Sequence, residues 1–315
     1  MAKPALLQVG PLPEWDQIPL EAAYDVKRLF EAADPAAYLA EVGPDIRAIL
    51  TRGDLTADAA MIAACPRLEV IAVYGVGYDG VDLEACAPRG IRVTNTPGVL
   101  TGDVADMAVA MLLALSRGIV GAEAWARNGD WAANGLYPLQ TRVFGRRAGI
   151  LGLGRIGFEI GRRLSGFDME IAYSATAAKP EADPWAFVPD PVALAERSDI
   201  LFVALAATAE TRHIVNKAVI EAVGPEGMII NISRASIVDE DALIAALHAG
   251  TLGGAALDVF EGEPALDPRL LETPNTLLQP HHGSGTEQTR EAMGQMVRDN
   301  LAAHFAGQPL VSPVN

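Results

Sequence analysis

Short apolar runs alternate along this chain with longer stretches whose apolar residues recur at helical spacing. In the first hundred residues the runs are ALLQVG, YDVKRLF, IRAILT, LEVIAVYG and IRVTN, each of strand length. Between them the pattern predicts helices over Pro35–Val42 and over 56–64, the second opened by Thr56 as its N-cap. A long, largely buried helix is predicted from the apolar positions of 104–115, with Gly118 as its stop. A second series follows, with strands in AGILGLG, EIAYSA, DILFVALA, GMIINIS, GGAALDVF and NTLLQPH, and a final helix over Glu287–Phe305. Strand and helix in turn are the signature of parallel sheets. The expected class is α/β, with two domains, because 315 residues exceed one ordinary domain. The first covers 1–100 and is joined by 286–315, the last helix returning to pack on it. The second covers 101–285.

Composition narrows the range of partners. The net charge of −16, with no basic cluster, argues against nucleic acid and against anionic membrane surfaces. A small anionic substrate stays compatible, since one well-placed Arg acts locally. The longest apolar run, 107–115, is far short of a membrane span, and the N-terminus lacks the basic and apolar pattern of a secretion signal. The two cysteines, Cys65 and Cys86, lie in no C-x-x-C pair and no metal-ligand spacing, so they read as buried thiols of a reduced, cytoplasmic protein.

The segment ILGLGRIG, 150–157, has the spacing G-x-G-x-x-G between a predicted strand and a predicted helix. Gly152 permits the tight turn, Gly154 lets the backbone approach a pyrophosphate, and Gly157 lets helix and strand pack closely; the helix N-terminus supplies amide donors. Dinucleotide binding in a Rossmann-like domain follows. The next strand, ending Tyr173-Ser174-Ala175, carries no acid to accept from the adenosine ribose hydroxyls. Ser174 and Thr176 are candidates to donate to a 2′-phosphate, with Lys179 in reach and Ala175 where an Arg would often stand. NADP is therefore favoured, and NAD stays open.

Three further segments end predicted strands, where open α/β sheets bind ligands. INISRASIVDEDAL carries Arg234, ALDVFEGEP carries Asp258, Glu261 and Glu263, and LLQPHHGSGT carries His281 and His282. Hydride transfer to a 2-keto acid needs a fixed carboxylate, a polarised carbonyl and a proton donor. Arg234 offers a planar fork that Lys does not reproduce. A His gives the proton, and a Glu bonded to it fixes its tautomer. Of the adjacent pair, His281, directly after Pro280, is the candidate.

These motifs in this order, with GVGYDGVD, VTNTPGVLTGDVADMA and TAETRHIVNK, resemble the D-2-hydroxyacid dehydrogenase family over nearly the whole chain. The resemblance implies an active site in the cleft between two Rossmann-like domains. It implies Arg234 on the substrate carboxylate and carbonyl, His281 as acid/base, Glu263 as its partner, and Asp258 at the nicotinamide end of the cofactor. Val76 and Gly77 would offer amides to the substrate. Arg155 and Ile156 would bring pyrophosphate-binding amides, and Ala206, Ile232 and Gly283 would line the cofactor cleft. Members are usually homodimers, through the long segment after Thr101. NISRASIVDE and PHHGSGT look most like glyoxylate/hydroxypyruvate and hydroxyphenylpyruvate reductases, which implies a small 2-keto acid as substrate and NADPH as donor. A bulkier 2-keto acid and a non-catalytic cofactor sensor are the alternatives.

Overall fold

The computed structural model describes residues 3–315. The chain begins β1 (Ala5–Gln8), α1 (Glu14–Ala23), β2 (Asp25–Arg28), α2 (Pro35–Val42), β3 (Ala48–Arg52), α3 (Ala59–Ala64), β4 (Val70–Tyr74), α4 (Leu83–Cys86) and β5 (Arg92–Thr94). It continues α5 (Thr101–Ser116), α6 (Ile119–Arg127), α7 (Asp130–Asn134), β6 (Arg147–Leu151), α8 (Arg155–Leu164), β7 (Glu170–Ser174), β8 (Ala186–Phe187), α9 (Pro191–Glu196) and β9 (Ile200–Val203). It ends α10 (Lys217–Val223), β10 (Met228–Asn231), α11 (Glu240–Ala249), β11 (Gly254–Leu257), α12 (Pro268–Leu271), β12 (Thr276–Leu278) and α13 (Glu287–Phe305). Two compact units result: residues up to Leu100 with Gly285–Asn315, and Thr101–Ser284.

The first unit is built on a five-stranded sheet in the order β2-β1-β3-β4-β5, every pair parallel. Its strands carry near-continuous apolar residues because both faces are covered, and Leu6, Leu7, Ile49 and Ile71 are fully buried. Helix α13 belongs to this unit and packs on β4 and α1. The C-terminal residues run beside β5: Val314 N–H donates to the Val93 carbonyl at 2.8 Å, and Pro313 bridges Thr94 antiparallel. They cover what is otherwise a sheet edge.

The second unit holds seven parallel strands in the order β12-β11-β10-β9-β6-β7-β8. The chain leaves β6 in one direction through β7 and β8, then crosses to β9 on the other side of β6. That reversal falls at β6 and β9, and sheets of this kind take ligands at the C-terminal ends of the strands on either side of such a switch point. The α/β class with parallel sheets is therefore as the pattern predicts.

Local expectations differ at several points. The helix expected from Thr56 begins at Ala59, and Asp58 caps it, accepting from Met61 N–H at 2.8 Å. Ala57 is drawn into an extended bridge with Val81, which holds Thr56 outside the helix. The run 24–30 is strand only over Asp25–Arg28 and then turns through a short 3₁₀ segment. Helix α1 goes unannounced in the sequence, because Pro11, Pro13 and Pro19 mask its period; burial of Asp16 and Leu20 holds it. Gly118 stands just past α5, in the left-handed region, and opens α6. No single helix among the described residues is long and apolar enough to cross a membrane.

Candidate active site

The glycine turn follows β6. Gly152 has φ +102°, and a Cβ there would lie 2.8 Å from the Ala204 carbonyl group, so both conformation and contact require glycine. A Cβ on Gly157 would meet the Gly152 carbonyl oxygen at 2.1 Å, which is how closely α8 abuts the turn. Gly154 differs: nothing lies within 4 Å of its Cβ position, and no side chain caps α8. The first intrahelical bond is made by Phe158 N–H to the Gly154 carbonyl at 2.9 Å. The amides of Arg155, Ile156 and Gly157 precede it. An uncapped helix N-terminus over an open glycine is a cradle for an anionic diphosphate, and the residues present fit a dinucleotide there.

At the end of β7 the placement of Ser174 corrects an expectation. Its side chain is buried, and its hydroxyl donates to the Pro189 carbonyl at 3.0 Å. It is a strand-end fastening, with its proton already committed, and not the phosphate donor expected. Ala175 is half-buried and Thr176 exposed. Lys179 follows a turn pinned by its own N–H donating to the Tyr173 hydroxyl at 2.7 Å. No carboxylate occupies 174–179.

The remaining candidates come from the ends of β9, β10, β11 and β12. Since these strands are parallel, all emerge on one edge of the sheet. After β9, the Ala206 carbonyl accepts from the Thr211 hydroxyl at 2.8 Å. After β10, Ile232 is buried and Arg234 half-buried, one guanidinium N–H donating to the Ser233 carbonyl at 2.9 Å. Asn231, which sequence reasoning did not single out, sets this turn. It is buried, its Oδ1 accepts from Ser233 N–H at 3.0 Å, and its Nδ2 donates to the Arg234 carbonyl at 3.1 Å. The available signal was a polar side chain closing an apolar strand.

After β12, His281 Nδ1 lies 2.7 Å from Glu263 Oε2, and Glu263 Oε1 accepts from Phe260 N–H at 2.8 Å. Glu263 is thus fixed by the backbone of its own loop and in turn fixes the imidazole. With Nδ1 given to the carboxylate, Nε2 is the nitrogen left to carry a proton to or from a substrate. The side chains remain 34% and 26% exposed, so the pair is reachable. His281 has φ +51°, a strained region for a non-glycine residue. Asp258 helps hold it there. It is buried, with Oδ1 accepting from His282 N–H at 2.6 Å and Oδ2 from Gly283 N–H at 2.8 Å. Burial pushes its carboxyl above the usual range, against the pull of those two amides. A Cβ on Gly283 would lie 2.9 Å from Asp258 Oδ2, so glycine permits the close approach. The residues just named lie in the second unit. Val76 and Gly77 lie in the first, half-buried beyond the end of β4.

A doubly wound sheet with an anion cradle at its switch point and a hydrogen-bonded His–Glu pair on the same edge is the architecture of a dinucleotide-dependent oxidoreductase. Its family follows from comparison. The profile of the D-isomer specific 2-hydroxyacid dehydrogenase NAD-binding domain matches residues 109–283. Hydroxyphenylpyruvate reductase of Plectranthus scutellarioides is 43% identical over 309 residues, 98% of each chain. The structure of a 2-hydroxyacid dehydrogenase from Ketogulonicigenium vulgare Y25 is 69% identical with TM-score 0.93, covering 100% of this chain and 99% of that one. An NADPH-dependent glyoxylate/hydroxypyruvate reductase from Sinorhizobium meliloti, in complex with NADP and malonate, is 41% identical with TM-score 0.93, covering 99% and 97%. The chain belongs to the D-isomer specific 2-hydroxyacid dehydrogenase family.

Proposed function

We propose that this protein reduces a small 2-keto acid, glyoxylate or hydroxypyruvate foremost, to the 2-hydroxy acid with NADPH, NADH serving as a lesser donor. The observation that carries the reading is the 2.7 Å His281–Glu263 pair on the sheet edge that also presents Arg234. The relative from Sinorhizobium meliloti supports the substrate and cofactor class. Bound nicotinamide supplies the hydride. Arg155, Ile156 and Gly157 hold the diphosphate through their amides, with Gly152 and Gly154 shaping the turn. Ala175, Thr176 and Lys179 meet the ribose phosphate, and the absence of an acid at 174–179 favours NADPH. Ala206, Ile232 and Gly283 line the nicotinamide side, where Asp258 keeps the loop in place. Arg234 grips the substrate carboxylate and polarises its carbonyl. The amides of Val76 and Gly77 take further carboxylate bonds. His281 gives the Nε2 proton to the carbonyl oxygen, and Glu263 stabilises the ring by accepting from Nδ1.

The proposal extends to a cytoplasmic homodimer. Cys65 and Cys86 are free and buried, and burial pushes the Cys65 thiol up to about 11. Between α5 and β6, the large apolar side chains of Ile119, Val120, Trp131, Leu136, Leu139 and Phe144 are exposed, which supports a partner surface in this segment.

Steady-state rates of an Arg234→Lys variant test the substrate placement. A point charge cannot hold two oxygens, so KM for hydroxypyruvate rises and kcat falls together, each by roughly tenfold or more. Wild-type kinetics in that variant would overturn the placement of the substrate.

A further inference from the structure

Beyond the end of β4 the backbone of 75–77 is held by its carbonyls, and its amides are left free. The Gly75 carbonyl accepts from Thr96 N–H at 2.9 Å. The next carbonyl, that of Val76, accepts from the side-chain Nδ2 of Asn95 at 2.8 Å. Among the described residues the N–H groups of Val76 and Gly77 donate to no protein acceptor. In a planar trans peptide the C=O and the following N–H point in opposite directions. Fixing the Gly75 carbonyl therefore fixes the Val76 N–H, and fixing the Val76 carbonyl fixes the Gly77 N–H. Two consecutive amides are presented, half-buried, as a fork for an anion. The first is set by backbone and the second by one side chain.

That side chain is itself held. Asn95 is buried, its carbonyl accepts from the Ser312 hydroxyl at 2.6 Å, and its N–H donates to the Ser312 carbonyl at 3.4 Å. Ser312 in turn is clasped by Asn300 of α13, which is fully buried. Asn300 Nδ2 donates to the Ser312 hydroxyl at 2.9 Å, and its Oδ1 accepts from Val311 and Ser312 N–H at 3.0 Å each. The backbone of Asn95, not its amide group, makes the contact with the C-terminal segment. The side chain is thus free to serve the 75–77 turn alone.

We propose that Asn95 is a positioning residue for the reduction, aiming the Gly77 N–H at the substrate carboxylate, with the clasp of Asn300 on Ser312 holding Asn95 in register. This rests on the reading that Val76 and Gly77 bind that carboxylate. The carboxylate is equally charged in ground and transition states, so the bond to it is uniform binding and its loss shows in KM more than in kcat.

The test is steady-state kinetics with hydroxypyruvate and NADPH, together with NADPH binding by fluorescence, on the full chain. Asn95→Ala raises KM by about tenfold or more, the weight of one charge-assisted hydrogen bond, with kcat within about threefold and NADPH affinity unchanged. Asn95→Asp keeps the size but sets a carboxylate against the Val76 carbonyl. Its KM, relative to wild type at the same pH, is raised most at alkaline pH. The excess falls toward acid pH, as a protonated carboxyl regains a donor. An unmoved KM in Asn95→Ala, or an Asn95→Asp impairment that ignores pH, overturns the proposal while leaving the reductase reading in place. A wild-type protein that binds NADPH and turns over no 2-keto acid overturns both.

Discussion

Two carboxylates, each paired with a nitrogen-bearing side chain, invite comparison. Glu263 and His281 meet at the C-terminal edge of the seven-stranded sheet, about a third exposed, with both carboxylate oxygens used and one imidazole nitrogen uncommitted to the pair. Asp16 and Arg298 meet between α1 and α13 in the first unit, where Asp16 is fully buried. The Tyr74 hydroxyl reaches Asp16 at 3.3 Å and donates to the Arg290 carbonyl at 2.7 Å. Gly294 leaves room for the carboxylate, since any Cβ there would overlap it. The first pair is held by its loop and open to a visitor, and the second is enclosed by the elements it joins. Burial raises the Asp16 carboxyl above its usual range although Arg298 pulls it down. What separates the two pairs is access and what is left to react, which is why the first is proposed as the acid–base group and the second is not.

The sharpest way to break this contrast is His281→Ala. Removing a positioned general acid lowers kcat by about 10²–10⁴-fold, with NADPH affinity measured by fluorescence nearly unchanged. Asp16→Ala reverses the pattern. It lowers unfolding free energy by about 2 kcal/mol in denaturant titration, through lost buried hydrogen bonds, while kcat stays within about twofold.

Asp16→Asn sharpens the electrostatic half. The folded-state carboxyl is raised, so the native chain holds that proton to higher pH than the unfolded one. Its stabilising contribution is full below the ordinary value near 3.8 and is lost as pH rises through the raised value. Wild type therefore gains stability over Asp16→Asn as pH falls across that window, and the difference is flat at neutral pH. The smallest effect is expected for Ser174→Ala. Losing the bond to Pro189 costs about 1 kcal/mol of stability and leaves the KM for NADPH within about twofold. A large rise in that KM would return Ser174 to the phosphate.

The placement of the candidate residues was legible in the residue pattern because each follows a strand, and strand ends in a parallel sheet share an edge. The glycine turn was legible for the same reason, since its spacing stood between a strand and a helix. Ser174 was misread because its partner is a backbone carbonyl 15 residues away, which no local pattern announces. Asp16 was invisible for a related reason. It sits in a stretch punctuated by prolines, and its partners Tyr74 and Arg298 are 58 and 282 residues distant. Asn95 and Asn231 act by orienting backbone, a role that residue identity does not display.

The most direct test of the account is the initial rate of NADPH oxidation by the wild-type protein with glyoxylate and with hydroxypyruvate, each repeated with NADH. The account predicts turnover with both keto acids, faster with NADPH. Tight NADPH binding without oxidation by either keto acid would contradict it.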